Sequence, residues 1–128
     1  MGFEKIRSSF SPKEKFISAN ELVSYGMEDD LIHIHVVPKE KVENIFIKFR
    51  EGLQEIAKIV NENPNIKKVS GSSWLVAENA EALERRYGFT IDGEIDEKMR
   101  KEHFAYEKRK VWGMHIDREE FLRRYLIN

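Results

Sequence analysis

Two histidines are the residues best placed by type and spacing to do chemistry. His33 and His35 sit one residue apart in the run Leu31-Ile32-His33-Ile34-His35-Val36-Val37. Alternate side chains of a β-strand share a face, so the two imidazoles project together. A neutral imidazole can take a proton from an amine near neutral pH, and two at this spacing can share a metal ion. Zinc or iron needs a third ligand, for which His115 or Glu78 are candidates. The pair equally fits a half-buried sheet face on which each ring bonds to backbone or neighbours. Ser70, Ser72 and Ser73 lack the Gly-x-Ser-x-Gly context of a strand-to-helix nucleophile and read as sheet-face hydroxyls. Trp74 and Trp112 suit core packing or a pocket wall. His103, with Phe104 and Tyr106, lies in a polar segment that could cover a ligand.

The elements that must position these residues follow from periodicity. Residues 3–10 (FEKIRSSF) fit an edge strand. Ser18 and Glu21 have the spacing of a capping box, predicting a short helix with Leu22 and Tyr25 inside and Gly26 as its stop. Leu31 to Val37 alternates as a strand, and Pro38, lacking an N–H, ends it. A long helix is expected over residues 39–62. Val42, Ile45, Phe46, Phe49, Leu53, Ile56, Ala57 and Val60 recur at spacings of three and four, Gly52 weakens the helix, and Asn63-Pro64-Asn65 stops it. A second strand is expected over Ile66 to Ala77, a short helix over about 79–87, and a strand over Phe89 to Ile95. A polar helix at Glu97 to Phe104 and a strand at Arg109 to Ile116 come next. A second box, Asp117 to Glu120, opens a C-terminal helix with Phe121, Leu122 and Tyr125 inside. The expected class is α/β, a small mixed β-sheet with packed helices in one domain spanning 1–128.

Composition narrows the function classes. The 128 residues contain no cysteine, which excludes disulfides, thiolate metal sites and a cysteine nucleophile. Charged residues make up 35%, yet the net charge is −1 and acidic residues interrupt every basic cluster, so no nucleic-acid footprint is expected. No apolar run approaches the roughly 20 residues of a membrane span, and MGFEKIRSSF has no signal-peptide core, so a cytoplasmic location is expected.

From Leu31 to Ile116, the element order and the segment Trp74-Leu75-Val76 … Ala80 … Leu83 … Gly88-Phe89 resemble the C-terminal half of the GNAT superfamily of acyl-CoA-dependent N-acyltransferases. Residues 1–30 then form a variable N-terminal segment, 31–116 the GNAT-like core and 117–128 a C-terminal helix. The resemblance implies acetyl-CoA or another acyl-CoA as cofactor and a small-molecule amine as acceptor. It implies that the strand containing His33 and His35 splays from its neighbour, admitting the pantetheine arm between them. The cofactor-binding positions it implies are Val36, Val37, Lys39 and Lys41. The family's phosphate loop is glycine-rich, whereas this chain has Pro38-Lys39-Glu40-Lys41-Val42. Ala77 stands where the family often has an asparagine, and Glu84 where it often has a proton-donating tyrosine. The implied catalytic set is therefore His33 or His35 as base and Glu84 at the acid position. A ligand- or partner-binding domain that has lost catalysis, and a small metal protein using His33 and His35, are the alternative functions. A truncated sheet leaves an exposed edge, which a homodimer would cover.

Overall fold

The computed structural model describes residues 16–36 and 44–127. The expected strand at 3–10 and the expected first turn of the long helix, residues 39–43, lie outside the described residues. Among the described residues six strands, β1 (Ile17–Ser18), β2 (Val23–Glu28), β3 (Leu31–Val36), β4 (Lys68–Ser73), β5 (Thr90–Glu94) and β6 (Trp112–Asp117), form one mixed sheet in the order β1-β2-β3-β4-β6-β5. The helices that accompany it among the described residues are α1 (Ile45–Glu62), α2 (Trp74–Glu78), α3 (Ala80–Arg85), α4 (Glu97–His103) and α5 (Arg118–Tyr125). The α/β architecture expected from the sequence is the one observed.

The sheet is two antiparallel halves joined by one parallel ladder. β1, β2 and β3 form one half, and β4, β6 and β5 the other. The ladder between β3 and β4 has four residue pairs, from Leu31 opposite Lys68 to Ile34 opposite Gly71. Beyond it, His35 and Val36 stay paired with Ser24 and Val23 of β2, while Ser72 and Ser73 stay paired with Gly113 and Trp112 of β6. The two halves therefore part at the C-terminal ends of β3 and β4.

One face of the sheet carries the core. Ile32 and Ile34 of β3, Val69 of β4, and Met114 and Ile116 of β6 are buried there. Phe49, Leu53, Ile56, Ala57 and Val60 of α1 meet them, a stripe at helical spacing. Phe46 belongs to the same sequence pattern but is 54% exposed. Phe121 and Tyr125 complete the core from α5, and the Tyr125 hydroxyl donates to Tyr87 O at 2.6 Å.

Three expectations are corrected. Ser18 does not cap a helix: its hydroxyl donates to Asn20 O at 2.8 Å, and Val23–Glu28 is a strand. Asn20 sets the turn instead, its Oδ1 accepting from Leu22 N and Val23 N while its Nδ2 donates to Lys48 O on α1. Val23 and Tyr25 then alternate inward. The second strand ends at Ser73 rather than Ala77, because the Ser73 side chain accepts from Leu75 N at 2.7 Å and starts α2. The box at Asp117 is not made: Asp117 forms no side-chain cap bond, and Glu120 turns instead to Arg123 and Arg124.

Gly52 is buried in the middle of α1, against β2. A Cβ there would lie 2.6 Å from Val23 Cγ2 and 2.7 Å from Val23 Cβ. Val23 is buried and β-branched, so it has little freedom to yield. Helix propensity alone favours alanine by up to about 1 kcal/mol, whereas overpacking costs about 1–3 kcal/mol. Gly52→Ala is therefore expected to lower the melting temperature by several degrees; a rise, read by calorimetry, would show that α1 can move away from β2.

Candidate functional site

The face of the sheet opposite α1 is polar, for reasons of register. His33 and His35 alternate with the buried Ile32 and Ile34, so both imidazoles point away from the core. Glu28 stands opposite Leu31, and Ser70 opposite His33, on the same face. Ser70 Oγ and His33 Nδ1 lie 3.2 Å apart, and His33 Nε2 lies 3.6 Å from Glu28 Oε2. The row continues to His115, which pairs with Ser70 across β4–β6 and has Nδ1 2.9 Å from Asp92 Oδ1.

His35 has the more available ring. Phe16 packs on it with centroids 5.0 Å apart, and among the described residues neither ring nitrogen makes a hydrogen bond. Burial lowers the pKa of His35 below its ordinary 6.5. Burial also lowers that of His33, against an opposing pull from Glu28; His103 and Lys68 add to the lowering.

Two cavities flank the parting of β3 and β4. An apolar one of about 120 Å³ lies on the α1 side, walled by Ile45, Phe46 and Phe49 of α1, Leu75 and Val76 of α2, and Ala82, Leu83 and Tyr87 around α3. A larger one of about 650 Å³ lies over the polar face, lined by Glu28, His33 and His35 with Phe16, Trp74, Met99, His103, Phe104, Glu107 and Arg109. Ile34, Val36, Ser72 and Ser73 line both. The segment after β5 roofs the polar cavity. Asp96 starts α4 by accepting from Met99 N, and Arg100 Nη2 donates to the carbonyls of Glu107 and Arg109. The Arg109 guanidinium makes two bonds to the Glu107 carboxylate, at 2.9 and 3.0 Å, and the Arg109 backbone N–H a third at 2.9 Å, which holds that carboxyl down at a pKa of about 2. The same guanidinium lies 3.7 Å from the Trp74 ring centroid.

The site residues expected from the sequence divide into three groups. His33, His35 and Val36 line the polar cavity together, His35 and Val36 beyond the end of the ladder and His33 within it. Glu84 is exposed on α3 and lines neither cavity. Val37, Lys39 and Lys41 lie outside the described residues. Among the described residues no group of three or more His, Asp or Glu side chains is arranged to hold a metal ion; His115 is bonded to Asp92, and Glu78 is exposed. Also among the described residues, no helix is long and apolar enough to cross a membrane. Glu28 and Ser70 were not foreseen as partners of His33. Only the strand register brings them there, and the sequence places Glu28 in a turn after the Gly26 stop. Comparison with protein-family models gives no match, and comparison with curated proteins gives none.

The lowered histidine pKa values set a direction for stability against pH. A proton binds His33 or His35 less readily in the folded chain than in the unfolded one. The resulting stabilisation is fully present above about pH 6.5 and is lost as pH falls through the lowered folded value. The melting temperature is therefore expected to fall on acidification from about pH 7 to about pH 5, and the fall should be shallower in His35→Gln. Equal slopes in both proteins would remove His35 from the titrating set.

Proposed function

We propose that this chain is a divergent GNAT-like acyltransferase that moves an acyl group from acyl-CoA to an amine. The observation that carries the proposal is the four-pair ladder between β3 and β4, with Ile34, Val36, Ser72 and Ser73 beyond or at its end lining a cavity on each face. Backbone groups that residues 35–36 and 72–73 turn toward one another have no ladder across the parting. Such groups need partners when covered. An extended chain bearing amides, as the pantetheine arm does, can supply them in the manner of an added strand. Its thioester then stands at the parting, with the polar cavity ahead of it.

In that arrangement His35 is the base. Its ring is half-buried, kept toward the neutral form by burial, and its nitrogens are unengaged among the described residues. The amine nitrogen attacks the thioester carbonyl carbon, a C–N bond forms and the C–S bond breaks. His35 accepts the proton leaving nitrogen, and the departing thiolate takes it from the imidazolium. One imidazole thus serves both transfers, which fits the exposure of Glu84 away from both cavities. His33, engaged by Ser70 and Glu28, is the weaker candidate for the same role.

The cofactor is tested by thermal melts with acetyl-CoA, because a ligand of the native state raises the midpoint. The wild-type chain is expected to show a rise that saturates with cofactor. Ala82→Phe, which puts an aromatic ring into the apolar cavity, is expected to abolish that rise while leaving the unliganded chain folded. His35→Gln should keep the rise and lose about 100-fold or more in kcat/KM. No rise at millimolar acetyl-CoA would overturn the proposal.

A further inference from the structure

The charges of the polar cavity are unequal at its two ends. Of its two carboxylates, Glu107 is already neutralised by Arg109. Glu28 has only His33 beside it among the described residues, at 3.6 Å, and burial pushes that imidazole toward its uncharged form. Among the described residues Glu28 makes no ion pair with a Lys or Arg; Lys68, on the same face, stands across β3 from it, opposite Leu31. Glu28 stands opposite Leu31, and His35 is four residues further along β3. At ~3.3 Å per residue the two Cα positions are about 13 Å apart along the strand, and the approach of Glu28 to His33 brings its carboxylate to about 10 Å from the His35 ring. Met99 and Phe104 give the same cavity an apolar wall against which methylenes can lie.

We propose that the acceptor is a dication, a linear di- or polyamine with its reacting nitrogen beside His35 and a second ammonium held by Glu28 about 10 Å away. This rests on the acyl-transfer reading of the parting. The amine enters with both nitrogens protonated. The reacting nitrogen gives one proton to His35 and through it to bulk water. As that nitrogen attacks the thioester carbonyl, C–N forms, C–S breaks, and its second proton passes through His35 to the thiolate. The distal ammonium keeps its proton throughout. Charge-assisted pairing there sets affinity and reach, not the chemistry.

The test uses the full chain, acetyl-CoA, and two amine series: α,ω-diamines from diaminopropane to diaminooctane, and monoamines of matching length. Thiol release gives kcat and KM, and melts without cofactor give amine binding. The expected result is a KM that falls with diamine length, and long diamines favoured over matched monoamines by about tenfold or more in kcat/KM. Glu28→Gln should raise the KM for diaminooctane about tenfold and flatten the length dependence, with Glu28→Asp restoring part of it. Glu28 is half-exposed, and a melt of each variant confirms that it folds. Equal use of monoamines and diamines would overturn the dication and leave the transferase standing. Glu28-dependent diamine binding without thiol release would keep the dication site and overturn the transferase. Neither turnover nor diamine binding overturns both.

Discussion

The short parallel ladder between β3 and β4 is the interaction on which the rest of the structure depends. Among the described residues it is the one strand ladder that joins the two antiparallel halves. One end of it is tied shut. Lys67 N donates to Asp30 O at 2.7 Å, Arg118 N donates to Lys67 O at 2.9 Å, and the Arg118 guanidinium donates to the carbonyls of Asn63 and Ile66. The other end separates because each strand keeps its own antiparallel partner while Ser73 turns β4 directly into α2. α1 packs beneath the sheet, and Val23 on β2 closes tightly against Gly52, so the half containing the histidines is anchored to the core. The parting is thus a consequence of local bonding on both sides, not of missing packing.

That same geometry gives the two faces different chemistry. The apolar face continues the core into a small cavity beside α1, where little but a thin chain can enter. The polar face collects imidazoles, the carboxylates of Glu28 and Glu107 and aromatic walls in a cavity large enough for a small molecule. Desolvation works to the same end, since burial disfavours protonated imidazole and keeps His35 a proton acceptor at neutral pH. In the proposed reaction the nucleophile, the base and the acyl carbonyl meet where the faces communicate, between Val36 and Ser73.

Much of the fold was legible because the responsible patterns are local. The stripe from Phe49 to Val60 marked α1, and the alternation of Leu31–Val36 marked β3. β2 was misread because Ser18 and Glu21 imitate a capping box, while the alternation of Val23 and Tyr25 that makes it a strand was weaker than the motif. α2 was hidden because Trp74-Leu75-Val76 favours a strand, and one hydroxyl among three serines decides otherwise. At the site, the histidine pair could be read from its spacing. Its neighbours could not: Glu28 and Ser70 reach His33 from adjoining strands, and register between strands is a long-range property. Glu84 shows the converse, since motif alignment gave it a role that its helical phase turns toward solvent.

The central claim is that acyl-CoA lies in the parting of β3 and β4, and backbone amide exchange reads it most directly. On titration with acetyl-CoA, exchange should slow at those amides of residues 35–36 and 72–73 that face the parting rather than β2 or β6, because a bound chain takes up backbone groups that now lack a ladder. Amides of the closed end, residues 31–34 and 68–71, should change little. Unchanged exchange at the parting with saturating cofactor, or protection confined to another surface, would contradict the account.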